Sequence, residues 1–200
     1  MTQFFGDNAP DICNIQMHPF LMTGAFVSFF RQIFYDSKNR FFAELDNLHW
    51  DPDPKKSNLM IESYTRFKPD EVLRRPAILV QRGPQSHSKA AFKHSLGDGR
   101  STGLWEGTHQ FIVIGKSGAQ VDILVAEIWR LLEAYRSVII DNLMLHSLDV
   151  TRVAETKLSD EYNEHFVSSV EVRYLYFQTL EQVSALPPVR RIGVDVQLKQ

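Results

Sequence analysis

Cysteine is nearly absent: Cys13 stands alone in a chain of 200 residues. An intramolecular disulfide is excluded, as is a metal site built on several thiolates, and a lone thiol suits a reducing compartment. Long apolar runs are also missing. The longest, around Ile139 to Leu145, is interrupted by Asp141 and Asn142, well short of the roughly 20 residues that a membrane-spanning helix needs. Met1 to Pro10 shows no basic stretch followed by an apolar run, so neither a signal peptide nor a membrane partner is expected. Charge of one sign is not in excess. The formal net charge is −2, which does not suit a chain whose main partner is duplex nucleic acid.

What is present is a globular balance. Apolar residues make up 44 % and charged residues 23 %, which argues against disorder of the whole chain and for a single buried core. Residues 1–18 read as an irregular arm, 19–186 as one domain, and 187–200, after Pro187-Pro188, as a strand or arm. Within the domain, Pro19 to Leu48 reads as a helix on the spacing of Phe26, Phe29, Phe30, Ile33, Phe34, Phe41, Phe42 and Leu45. Leu59 to Phe67 and Ala77 to Arg82 read as strands, and Thr108 to Gly115 as a strand covered on both faces. Ser117-Gly-Ala-Gln120 has capping-box spacing, and a long amphipathic helix is expected from Ala119 to Leu145. Ser147 to Leu158 and Phe166 to Phe177 then read as an antiparallel pair. The expected fold class is α/β in the α+β sense, a mostly antiparallel sheet packed against the long helix and the aromatic N-terminal helix.

Motifs for chemistry are weak. Gly115-Lys-Ser-Gly118 lies between a strand and a helix, but the first glycine of a phosphate loop would fall on Gln110, inside the strand. The histidines His18, His49, His87, His94, His109, His146 and His165 form no ligand spacing, so no metal site is expected. Ser86, Ser88 and Ser95 lack a nucleophile elbow, and Glu161 and Glu164 sit on a polar connector with nothing to separate their pKa values. No catalytic residue and no cofactor is assigned, and an enzyme is not expected.

Two segments stand out instead. Gly83 to Gly107 is polar and glycine-rich, and reads as a long basic loop in which Lys89, Lys93 and Arg100, with Trp105, are candidates to face a partner or a channel. In the tail, Ile192, Val194, Val196 and Leu198 alternate with Arg191, Gly193, Asp195 and Gln197. That pattern suits a strand that closes the domain's own sheet or adds to a neighbouring subunit.

The order of elements, with Arg75-Pro-Ala-Ile-Leu-Val-Gln-Arg-Gly, Phe111-Ile-Val-Ile, Ile123-Leu-Val-Ala-Glu-Ile-Trp and Glu171-Val-Arg-Tyr-Leu-Tyr-Phe, resembles the tail terminator and neck (tail-completion) proteins of tailed bacteriophages over about residues 20–180. The resemblance implies a structural virion protein: a homo-oligomeric, hexameric ring at the head-proximal end of the tail. Such a ring ends tube polymerisation and contacts the tail tube protein and a neck or connector protein, with non-specific contact to DNA in the channel. It also implies a place in the virion tail or neck, and in the host cytoplasm during assembly. The rival expectations are another connector or baseplate adaptor and, from a different class, a small-molecule-binding domain or enzyme with a dispersed site.

Overall fold

The computed structural model describes residues 19–35, 41–67, 76–88, 94–95, 100–159 and 165–181. Its elements are α1 (Pro19–Tyr35), β1 (Met60–Ser63), β2 (Ala77–His87), β3 (His94–Ser95), β4 (Arg100–Gly115), α2 (Gly118–Ala134), α3 (Arg136–Asn142), β5 (Leu145–Val153), β6 (Lys157–Ser159) and β7 (His165–Glu181). The arm at 1–18 and the tail at 187–200, with Ile192, Val194, Val196 and Leu198, lie outside the described residues, as do Lys89 and Lys93.

The strands form one sheet in the order β1-β2-β4-β7-β5, with β3 added to β4 and β6 to β7. Among the described residues only β1 and β2 run parallel; the remaining pairs are antiparallel. The α+β class is thus the one expected. The spine is the ladder of β4 with β7, in continuous register from Arg100 opposite Glu181 to Gly115 opposite Phe166. Period-two alternation sets its faces. Phe111 and Val113 of β4, with Val170, Val172 and Tyr174 of β7, are fully buried. They meet Met22, Phe26, Phe30, Ile33 and Phe34 of α1 and Val121, Leu124, Val125, Ile128 and Leu132 of α2 in one core. The rings of Phe26 and Phe30 each stand edge-on to Phe111 at 5.1 Å, the favoured aromatic geometry. The opposite sheet face carries a smaller cluster of Met60, Ala77, Leu79 and Ile114.

Four expectations need correction. The segment 83–107 is not one loop: β2 continues to His87 and β4 begins at Arg100. Gly83-Pro84 forms a bulge, because the register passes from Arg82 opposite His109 to Gln85 opposite Gly107 with one extra residue on β2. The aromatic helix ends at Tyr35, and Ala43–Leu45 is a separate short 3-10 turn. The long helix divides at Tyr135, whose N–H still bonds the Leu131 carbonyl at 2.9 Å before α3 restarts. The capping box does not form, since Ser117 makes no side-chain cap.

Both sheet edges are guarded. At β1, Arg31 donates through Nε and Nη2 to the Ile61 carbonyl at 3.1 and 2.9 Å and through Nη2 to Glu62 at 2.8 Å. A side chain thereby occupies a backbone acceptor that a foreign strand would use. At the other edge, β5 shifts register twice, between Leu145 and Ser147 and between Val150 and Arg152, which bends the strand away from flat pairing.

One buried carboxyl group ties the segment after α1 to α2. The side chain of Glu127, fully buried, accepts the Phe41 N–H at 2.9 and 3.2 Å on its two oxygens. Glu127→Ala removes the acceptor of that bond and opens a gap where the fully buried side chain stood. It is expected to lower stability by about 2 kcal/mol, read as a shift of the urea midpoint with an unchanged slope.

Candidate functional site

Of the residues proposed from sequence, Trp105 and Arg100 belong to a strand, and Lys89 and Lys93 lie outside the described residues. Trp105 lies within β4, opposite both His87 and Tyr176, half-buried with its ring edge-on to His87 at 5.6 Å. Arg100 opens the same strand opposite Glu181.

The polar groups that do converge lie on the core-facing side of β2, β4 and β7, beyond Phe111. Along β4 this face reads His109, Gly107, Trp105 and Gly103. The His109 ring is fully buried, packed on Phe26 at 5.2 Å and Tyr174 at 5.5 Å. Its Nε2 and the Thr23 hydroxyl are 2.9 Å apart. From β2, Gln85 accepts the Tyr176 hydroxyl at 3.2 Å. The Tyr174 hydroxyl, His109 Nδ1, His87 Nε2 and Gln85 Nε2 are buried without a hydrogen-bond partner among the described residues. Gln85 lies near enough to influence Tyr174, without a bond of normal geometry.

Glycine makes this seam. A Cβ on Gly107 would stand 2.6 Å from the Tyr174 hydroxyl, and one on Gly103 would stand 2.7 Å from His87 Nε2. Small residues alternating with His109 along one strand are the sequence signal that points here. The partners Thr23, Gln85 and Tyr174 come from three other elements and leave no local trace.

Electrostatically, burial favours the neutral forms of His109, Tyr174 and Tyr176. Burial, reinforced by the Arg82 charge, pushes the His109 imidazole from 6.5 down to about 4. Burial pushes the Tyr174 phenol above its usual range, and Tyr176 moves up for the same reason. Neither His109 nor Tyr174 changes charge near neutrality, so the pair is suited to hydrogen bonding and not to proton transfer at that pH.

Beside the seam opens a cleft of about 540 Å³ with mixed polar and apolar walls. Its walls are Thr23, Val27 and Arg31 of α1, the segment Glu62 to Arg66, and Val80 to Arg82 of β2. Thr23 belongs to both features. A second basin of about 560 Å³ adjoins it and shares Arg31, Glu62 and Arg66. The first cleft holds three arginines, Arg31, Arg66 and Arg82, against the single carboxylate of Glu62. Arg31 is engaged by Glu62 and by the Trp50 ring, 5.0 Å from its guanidinium, whereas Arg66 is exposed and makes no ion pair among the described residues. The cleft can therefore receive a carboxylate or phosphate group. Among the described residues, no group of acidic, histidine or cysteine side chains is arranged to hold a metal ion, and no helix is long and apolar enough to cross a membrane. No protein-family model matches the chain, and no curated protein matches it in sequence.

Proposed function

We propose that the chain is a structural subunit of a phage tail, a ring-forming terminator or neck protein that ends tube growth and joins the tail to the head connector. The order of elements along the chain suggests the family. One observation carries the reading as an assembling subunit: large apolar side chains stand exposed along the β5–β6–β7 side. Met144, Val153, Leu158 and Phe177 are 56, 49, 59 and 59 % exposed. Val153 and Leu158 stand opposite the core-side residues Val170 and Phe166, whereas Phe177 is on the other face, and we place the covering chain along this sheet edge, where apolar groups of both faces are exposed. Guarded strand edges fit the same role, because a subunit that closes into a ring has to avoid open-ended strand pairing.

The test is the mass of the purified protein by light scattering, alone and with tail tubes, with negative-stain imaging of the tubes. Rings, or a cap at one end of each tube, are expected. A monomer or dimer that ignores tubes overturns the reading. It would favour the second one, a ligand-binding domain, for which the open cleft of about 540 Å³ speaks.

A further inference from the structure

We infer that the C-terminal tail of each copy, Arg191 to Leu198, lies as an added strand along the β5–β6 edge of the next copy, beside Trp129. This rests on the ring reading and names the contact that builds the ring.

The receiving edge is made by α2 and the last strands of the sheet. β5 ends the strand order, and β6 follows it along the same side of β7. One stripe of α2 runs over this edge. Asp122 accepts the Thr156 hydroxyl from the β5–β6 connection. Glu133, three helical turns on, binds Arg136, which reaches Asp149 of β5 at 3.5 Å. Between these two ties stands Trp129, seven residues after Asp122 and four before Glu133, and so on the same stripe. It is 46 % exposed, and the core-side residues Val153 and Leu158 are exposed as well. Further back on the same face of β5, Leu145 and Leu148 are buried. The core face therefore loses its cover at this corner, and its rim carries a tryptophan, a residue type enriched among the anchors of interfaces.

A strand laid along the edge turns every second side chain to the core face and the others outward. The tail has that pattern: Ile192, Val194, Val196 and Leu198 alternate with Arg191, Gly193, Asp195 and Gln197. The two register shifts leave β5 regular from Ser147 to Val150 alone, so backbone pairing by itself holds a strand weakly there. Burial of side chains has to carry the contact. The edge thus admits a strand with an apolar face and refuses others.

Chain length places the tail on another copy. β7 carries the chain away from Leu158: Glu181 lies 15 residues beyond Phe166, the partner of Leu158. Leu198 follows Glu181 by 17 residues. A tail returning along its own sheet spends about three residues or more on the reversal, and then falls short of Leu158 even when fully extended. Pro187-Pro188 also favours an extended course over a reversal, because φ is fixed at two successive residues. The tail of a neighbour has no such limit. A receiving edge at one end of the sheet and a chain leaving at the other make a heterologous contact, which closes into a ring when the rotation allows.

The experiment places charge on either side of the contact. Assembly is read by light scattering and as caps on tail tubes, and folding by thermal melting. Val194→Asp with Val196→Asp in the tail, and separately Val153→Asp with Leu158→Asp at the edge, are each expected to weaken assembly by roughly tenfold or more at an unchanged melting temperature. The second measurement is cross-linking of assembled protein in a Cys13→Ser background. A Leu158→Cys copy and a Val196→Cys copy, mixed and treated with a flexible bis-maleimide, are expected to give linked pairs that contain one of each. Three outcomes overturn the inference and leave the ring reading standing. Either aspartate variant assembles like the wild type; the tail variant melts lower than the wild type, which puts the tail on its own edge; or the mixed cysteine copies stay unlinked in assembled protein. A wild-type protein that is monomeric with and without tubes overturns both.

Discussion

Gly107→Ala is expected to lower stability by about 3 kcal/mol, enough to leave little folded protein in a domain of ordinary stability. In most strands this substitution is favourable, because alanine loses less backbone freedom than glycine on folding. Here the sign reverses. The added Cβ would stand 2.6 Å from Cζ and the hydroxyl of Tyr174 and 2.7 Å from its Cε2, well inside contact distance. The ring has nowhere to go. It is fully buried and held between His109 at 5.5 Å and Tyr176 at 5.9 Å. Relief requires either an off-rotamer tyrosine or separation of β4 from β7, and overpacking of a closed core typically costs about 1–3 kcal/mol. The strain also falls on the ladder that organises the sheet, which places the value at the upper end. Urea denaturation of the purified variant checks it. A midpoint equal to the wild type's would show that the seam yields, and that the tyrosine is not locked over the glycine.

The same glycine explains what the sequence conceals. Gly83, Gly97, Gly99, Gly103 and Gly107 look locally like a loop, since glycine punctuates turns. In the structure the decision is non-local. β7 supplies a partner to every residue of β4 from Arg100 to Gly107, and the glycines on the core side make room for the Tyr174 and His87 rings arriving from neighbouring strands. Where the pattern itself carries the information, the reading succeeds. Val170, Val172, Tyr174 and Tyr176 alternate inward, and β5 pairs antiparallel with β7 as the two runs predict. The division of the long helix was not legible. No glycine or proline marks Tyr135, and its apolar spacing continues through the break; the Tyr135 ring packs edge-on to Phe29 at 5.7 Å, a contact that only the assembled core reveals. The cleft escaped for a similar reason. Arg31, Arg66 and Arg82 are far apart in the chain and become neighbours when α1 lies beside β1 and β2.

His109 should make the protein acid-sensitive in a range where carboxylates alone would not. Its imidazole is held at about 4 in the fold against 6.5 ordinarily, so the unfolded chain takes up a proton at a higher pH than the folded one does. Stability from this group is complete above about pH 6.5, falls as the pH drops towards 4, and falls no further below that. The displacement corresponds to about 3 kcal/mol. The local structure leaves no easy escape: the ring is fully buried, Nε2 is bonded to Thr23, and Arg82, opposite in register, adds a repelling positive charge. His109→Gln retains a donor for Thr23 and removes the titration. Urea midpoints near pH 7.5 and near pH 4.5 are then compared. The wild type is expected to lose about 2–3 kcal/mol more than the variant over that span. Equal losses would mean that His109 protonates in the fold at its ordinary pH, with water reaching the seam. The consequence extends to the cleft, because Thr23 both bonds His109 and forms part of the cleft wall. Protonating His109 places a second positive charge beside Arg82 in a closed core, directly under the helix that carries one wall of the cleft.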